Sequence, residues 1–254
     1  MNLFKKPENR FWEVDFLRGT AVVMMILFHF LFDLNYFGAV KINLVSGLWK
    51  YFAYATASIF IFLVGVSLVL SYSRAVKEKQ VIGSQIFMKY LVRGVKIFSW
   101  GMLITLITLI FLPGGVIFFG VLHLIGVSII LAYPFIKYRK INIVIGILFI
   151  IAGFYLMEFN FNFNWLMWLG LRSGDFYTFD YFPLVPWFGV VLVGIFTGNV
   201  LYTGYKRKFN IPEIPGFIFI KIGCFLGRNS LLIYLIHQPI LTALLCLSGL
   251  KVAF

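Results

Sequence analysis

The strongest constraint on this chain is a succession of long apolar stretches, separated by short polar or basic segments. A helix needs about 20 mostly apolar residues to cross a bilayer, and several of these stretches reach that length. Of the 254 residues, 61% are hydrophobic and 12% are charged, and the mean hydropathy is +0.96. Soluble domains do not have this composition, so we predict an all-α, polytopic transmembrane helix bundle.

Seven membrane spans are predicted within one domain that covers residues 1–254. The spans are residues 14–37, 51–72, 91–112, 116–136, 141–158, 183–203 and 229–250. Residues 217–226 are too short to cross a bilayer, so we predict an interfacial segment and leave a re-entrant one open. The loop at 159–182 is rich in Phe and Asn, and we place it at the interface rather than in an extended edge.

The net charge of +13 does not indicate nucleic-acid binding, because the basic residues lie in short segments between apolar stretches. With a cytoplasmic N-terminus, eighteen Lys and Arg residues lie inside and four lie outside. This bias predicts that the N-terminus lies inside and the C-terminus outside. We expect the protein to lie in the inner cell membrane. The first apolar run is too long and too charged for a cleavable signal peptide, so we expect it to remain as an anchor.

The first span contains four ionisable side chains, namely Asp15, Arg18, His29 and Asp33. A charge deep in hydrocarbon costs at least about 2.5–3.5 kcal/mol, so such residues usually face a protein interior or a wet cavity. Arg18 and His29 are eleven residues apart, which places them on one helix face about 16 Å apart along the axis. Asp33 follows at the next turn of that face. The pattern predicts a line of polar groups across much of the bilayer.

The three histidines, His29, His123 and His237, all lie inside predicted spans. Histidine exchanges protons near neutral pH, so we predict that all three line one cavity with Asp33. A structural interpretation stays open for each of them. In particular, Pro239 frees the backbone carbonyl four residues earlier, and His237 could satisfy that backbone.

Two further residues of the first span have alternative interpretations. Arg18 could be an interfacial anchor that extends towards the headgroups, or it could bind phosphates or a carboxylate of a donor. Asp33 could orient His29 or mark the outer end of the helix. Glu13 and Asp15 are expected to offset the helix dipole.

The sequence around the first span resembles the membrane acyltransferases. The resemblance rests on the pair Arg18-Gly19 and on the spacing of Arg18 and His29, which have ten residues between them. The wider stretch resembles bacterial proteins with a heparan-α-glucosaminide N-acetyltransferase catalytic domain. Further similar segments are FGVLHLIGVS at 119–128, DYFPLVPWFGVVLVGIFTGN at 180–199 and GRNSLLIYLIHQPIL at 227–241.

This resemblance implies that a cytoplasmic acyl-CoA, here acetyl-CoA, donates its acyl group to a sugar or glycan at the outer side. It places Arg18 and His29 in the active region and implies no metal. The heparan enzyme of the family is associated with a histidine in the loop after its first helix, whereas residues 35–49 contain none. Whether an acyl-histidine intermediate forms therefore stays open.

The resulting hypothesis is a membrane acyltransferase with His29 as general base. Its other catalytic candidates are Asp33, His123 and His237, and Arg18 would bind the donor. Its partners are membrane lipids, acyl-CoA and a sugar or glycan acceptor. A proton-coupled transporter that uses His29 and Asp33 is the alternative, and a haem protein with two histidine ligands is a third.

The predicted orientation can be checked by cysteine labelling in a variant that lacks Cys224 and Cys246. A reagent added from outside should modify single cysteines placed at 41–47 or 170–175, because the charge bias puts these loops outside. It should leave cysteines at 77–80 or 206–208 unmodified. The opposite labelling pattern would overturn the orientation.

Overall fold

The computed structural model describes residues 10–44, 46–79, 83–112, 114–212 and 217–249, and this part of the chain is all-α. It contains eight α-helices and no strand of a sheet. The helices are α1 (Trp12–Tyr36), α2 (Gly47–Lys79), α3 (Ser84–Phe111), α4 (Val121–Leu131), α5 (Lys140–Leu156), α6 (Leu184–Leu201), α7 (Ile218–Arg228) and α8 (Ser230–Leu247). The predicted fold class is confirmed.

Five helices of the described chain are long and apolar enough to cross a membrane, namely α1, α2, α3, α6 and α8. They coincide with five of the seven predicted spans. The other two predicted spans correspond to shorter apolar helices, since α4 has 11 residues and α5 has 17. An 11-residue helix is only about 16 Å long, so α4 falls well short of the hydrocarbon thickness.

The predicted fourth span, 116–136, began too early because its first residues are not helical. Phe119 pairs with Tyr181 in an isolated parallel bridge, and α4 begins only at Val121. At the other end, the chain turns through a short 3₁₀ helix at Tyr133–Phe135. The apolar character of this stretch therefore extends beyond its helix.

The described chain forms two compact units. The first contains the residues up to Phe60 and those from Ile211 onward, which include α1, the start of α2, α7 and α8. The second, Ile61–Asn210, contains the rest of α2 and the helices α3 to α6. The predicted single domain remains a prediction for the whole chain.

In the first unit, α7 packs along the N-terminal half of α1, and glycines make this contact possible. A side-chain carbon at Gly227 would collide with the backbone carbonyl of Asp15, and one at Gly19 would collide with the backbone of Gly223. Small residues let membrane helices approach until their backbones touch. The segment predicted as interfacial is therefore a helix that packs on α1.

The junction between α7 and α8 lies at Asn229. Asn229 occupies the residue before α8, where a polar side chain can cap a helix. Its side chain, however, donates to the carbonyl of Phe225 at 2.8 Å, so it satisfies the end of α7 instead. The two helices are thus joined without an intervening loop.

In the second unit, the long loop before α6 is tied to the segment that leads into α4. Thr178 Oγ1 donates to the carbonyl of Val116 at 2.7 Å, and the N–H of Phe182 donates to the carbonyl of Phe119 at 3.0 Å. The Tyr181 hydroxyl donates to the carbonyl of Met167 at 2.7 Å. Burial raises the pKa of Tyr181 to about 12, so this hydroxyl remains a donor at physiological pH.

The contact between α1 and α7 can be tested with Gly227→Ala. Helix propensity alone would favour alanine by up to about 1 kcal/mol, but the methyl group would meet a backbone carbonyl that cannot move aside. Overpacking of this kind costs about 1–3 kcal/mol, so the melting temperature of the purified protein should fall.

The control is Gly114→Ala, because a side-chain carbon at Gly114 meets nothing within 4 Å. It should change stability by less than about 0.5 kcal/mol. Equal melting temperatures for both variants would contradict the close helix contact.

Candidate active site on the first helix

Helix α1 is unbroken from Trp12 to Tyr36, so Arg18, His29 and Asp33 share one face as the spacing predicted. Arg18 and His29 are separated by eleven residues, or about 16 Å along the axis. Different helices meet the two ends of this face. Glycines of α7 lie against its N-terminal half, and polar side chains of α8 meet His29 and Asp33.

The imidazoles of His29 and His237 are in direct contact. Their ring centroids are 4.8 Å apart, and the ring planes are inclined at 83°. His29 Nδ1 lies 2.8 Å from the carbonyl of Met25, and His237 Nδ1 lies 2.7 Å from that of Tyr234. A carbonyl can only accept, so in the neutral rings both Nδ1 atoms carry the hydrogen. Each ring therefore has a lone pair on Nε2 and can act as a base.

The carboxylate of Asp33 is held by Gln238. Asp33 is 3% exposed, and Gln238 Nε2 donates to Asp33 Oδ1 at 2.6 Å. From the sequence, Asp33 could orient His29 or mark the outer end of the helix. In the structure, the hydrogen bond that orients His29 goes to Met25.

His29, Asp33, His237 and Gln238 form one cluster of polar side chains between α1 and α8. Three of its buried polar atoms have no hydrogen-bond partner within the described chain. They are Asp33 Oδ2, Gln238 Oε1 and His237 Nε2. All three are acceptors, because Gln238 uses its amide nitrogen on Asp33 and His237 uses Nδ1 on the backbone. Buried polar atoms are normally paired, so this cluster is suited to a group that supplies several N–H or O–H hydrogens.

The other end of α1 carries a cluster of positive charges around one carboxylate. Arg18 Nη1 donates to Asp15 Oδ1 at 3.2 Å, and Arg10 Nη1 lies 3.8 Å from Asp15 Oδ2. The charge of Arg228, in the last turn of α7, also acts on Asp15. These three cations outnumber the two carboxylates in the first turn of α1, Glu13 and Asp15, so an excess of positive charge remains. Asp15 therefore orients Arg18 and does more than offset the helix dipole.

His123 lies in the second unit, where it completes the first turn of α4. Its Nδ1 accepts the N–H of Gly120 at 3.2 Å, and its Nε2 lies 3.3 Å from Thr105 Oγ1. Because Thr105 donates to the carbonyl of Ile117, its oxygen is free to accept from Nε2–H. His123 is 1% exposed, and both of its nitrogens have structural partners.

Two of the segments noted in the sequence are connected through this helix end. Asp180 Oδ2 accepts the N–H of Val121 at 3.1 Å, which caps α4 from a position 59 residues further along the chain. The segments at 119–128 and 180–199 therefore form one structural feature. The predicted catalytic role of His123 and its meeting with the other histidines stay predictions.

A family model described as heparan-alpha-glucosaminide N-acetyltransferase, catalytic, matches residues 10–239. The match spans both ends of the candidate site, from Arg10 to Gln238. The chain belongs to this family. Membership of the heparan-α-glucosaminide N-acetyltransferase family, together with the apolar helices, indicates a membrane acetyltransferase. No curated protein and no solved structure matches the chain.

The described residues contain no group of three or more His, Cys, Asp or Glu side chains that could hold a metal ion.

The two interpretations of His123 differ in a measurable way. If His123 is structural, His123→Ala leaves the Gly120 N–H unpaired and should destabilise the protein by about 1–3 kcal/mol. The turnover of each folded molecule should then remain close to that of the wild type. Melting temperature and turnover of purified protein separate the effects, because loss of a general base would reduce turnover about 10²–10⁴-fold.

Proposed function

We propose that this protein transfers an acetyl group from acetyl-CoA, supplied on the cytoplasmic side, to an amino or hydroxyl group of a sugar or glycan at the outer side of the inner membrane. The observation that supports this proposal best is the cluster of His29, His237, Asp33 and Gln238. It combines two imidazole bases with three unpaired acceptor atoms on neighbouring helices.

The acceptor would bind at this cluster through its own hydrogens. A sugar amine or hydroxyl provides N–H or O–H groups that match Asp33 Oδ2, Gln238 Oε1 and His237 Nε2. These atoms are otherwise buried and unpaired, so a substrate lacking such hydrogens would leave them unsatisfied. The cluster would thereby select for the group that becomes acylated.

His29 is the general base of the proposed reaction. Its Nε2 takes the proton of the acceptor amine or hydroxyl as that group attacks the thioester carbonyl. The new C–N or C–O bond forms, the C–S bond breaks, and the thiolate of CoA leaves. The proton then passes from His29 to the thiolate, which restores the neutral ring.

His237 would assist as the neighbour of the base. Two imidazolium charges with ring centroids 4.8 Å apart would repel each other, so the pair would hold one added proton at a time. The hydrogen bonds from both Nδ1 atoms to backbone carbonyls keep the two Nε2 lone pairs available. This arrangement prepares the site for a single proton transfer.

The donor would bind along α1 between its two polar ends. Arg18, held by Asp15, and the neighbouring Arg10 and Arg228 offer excess positive charge for the phosphates of CoA. The pantetheine arm of CoA is long enough to extend about 16 Å along the helix, which is the separation of Arg18 from His29. The thioester would then reach His29 while the nucleotide stays at Arg18.

A proton-coupled transporter and a haem protein would use this cluster in different ways. A proton-coupled carrier would use His29 and Asp33 without releasing CoA, so the release of free thiol from acetyl-CoA distinguishes it from an acetyltransferase. In a haem protein the two rings would bind opposite faces of the porphyrin. The direct contact between His29 and His237 leaves no space for it between them.

The general-base role is tested with His29→Ala. Acetyl transfer, measured as acceptor-dependent release of CoA thiol, should fall about 10²–10⁴-fold because the proton acceptor is lost. The matched control is His123→Ala, whose histidine has structural partners at both nitrogens. Near-normal turnover in folded His29→Ala protein would contradict the proposed mechanism.

Arg18→Ala tests the donor end. We expect the KM for acetyl-CoA to rise about tenfold or more, since a charge-assisted hydrogen bond contributes about 1.5–3 kcal/mol. Turnover at saturating acetyl-CoA should fall less than in His29→Ala. Arg172→Ala, in an exposed loop of the second unit, should leave the KM unchanged. An unchanged KM in Arg18→Ala would indicate that Arg18 is an interfacial anchor and does not bind the donor.

A further inference from the structure

Helix α3 carries three cations and no acidic residue. Lys89, Arg93 and Lys96 follow one another at four and three residues, so they share one face of the helix over about 10 Å. All three are exposed. Arg93 and Lys96 form no ion pair with a carboxylate of the described chain. We refer to Lys89, Arg93 and Lys96 as the basic stripe.

A surface hollow of about 620 Å³ lies over this face. Its lining consists of Gln85, Met88, Lys89, Val92, Arg93 and Lys96. These residues all come from α3, so the hollow is open to the surroundings of the helix rather than enclosed between helices. Such a site is suited to a molecule that lies alongside the helix.

The same face becomes apolar towards the C-terminus of α3. Leu103, Ile107 and Ile110 lie in line with the basic stripe at helical spacing, and their side chains are 41%, 47% and 61% exposed. Exposed aliphatic residues on a membrane-spanning helix contact acyl chains. The face thus combines a cationic end with an apolar end, which is the division of charge in a phospholipid.

We propose that this face of α3 binds an anionic phospholipid. Its phosphate would contact the basic stripe, and its acyl chains would lie along Leu103, Ile107 and Ile110. The lipid would belong to the leaflet that surrounds the N-terminal half of α3. Charge complementarity favours an anionic headgroup, because α3 contributes three cations and no acidic residue to this face, and Arg93 and Lys96 form no ion pair with a carboxylate of the described chain. This inference does not depend on acetyl transfer.

Competition between two lipids on the full-length protein tests the proposal. Native mass spectrometry of detergent-solubilised protein, with equal amounts of phosphatidylglycerol and phosphatidylcholine, gives the ratio of the two singly bound forms. We expect phosphatidylglycerol to be favoured about tenfold or more, because each cation near an anionic headgroup adds severalfold to the affinity. The triple variant K89Q/R93Q/K96Q should bind the two lipids almost equally.

Two matched variants separate the site from the general charge of the protein. K89R/R93K/K96R keeps the charges and should keep the preference. K137Q/R139Q/K140Q removes three exposed charges before and at the start of α5 and should also keep it. If the neutral triple variant is not obtained in folded form, Arg93→Gln alone should reduce the preference severalfold.

Three results would overturn the proposal. The first is an unchanged preference in the neutral triple variant, or in Arg93→Gln where that variant replaces it. The second is an equal loss of the preference for phosphatidylglycerol in K137Q/R139Q/K140Q. The third is displacement of phosphatidylglycerol by added desulfo-CoA, with CoA binding lost in the neutral variant, which would assign the basic stripe to nucleotide phosphates instead of lipid.

Discussion

The contact between the backbones of α1 and α7 is the interaction on which the first unit depends. Gly19 and Gly227 remove the side chains that would hold the two helices apart. The close approach brings Arg228 near Asp15, so the buried carboxylate is surrounded by positive charge. It also fixes where α8 begins, since Asn229 joins the two helices directly. The glycine after Arg18 in the family-like motif therefore has a packing role.

The polar face of α1 is stabilised differently at its two ends. Near the N-terminus, Asp15 and Arg18 form a charged cluster that stays partly exposed, since the Arg18 side chain is 19% accessible. Near the C-terminus, His29 and Asp33 meet neutral partners from α8, and several acceptors remain unpaired. The first end is suited to an anion and the second to hydrogen donors. In the proposed reaction, α1 would therefore carry the donor at one end and the acceptor at the other.

The features that depend on local pattern could be predicted from the sequence. The five long spans and the shared face of Arg18, His29 and Asp33 follow from hydrophobicity and helical periodicity, which neighbouring residues determine. The features that depend on distant residues could not. The start of α4 depends on a cap from Asp180, and the partner of Asp33 is Gln238, 205 residues further along the chain. The packing of α7 on α1 was missed because it depends on Gly19 and Gly227, which lie far apart in the sequence.

The central claim is that α1 holds the donor along its length, with the phosphates at Arg18 and the thioester at His29. The most direct test is a structure of the full-length protein with acetonyl-CoA, in which a ketone replaces the reactive thioester. The account predicts phosphate oxygens in contact with Arg18 and the ketone carbon next to the Nε2 atom of His29. Phosphates bound away from Arg18, or a ketone far from His29, would contradict it.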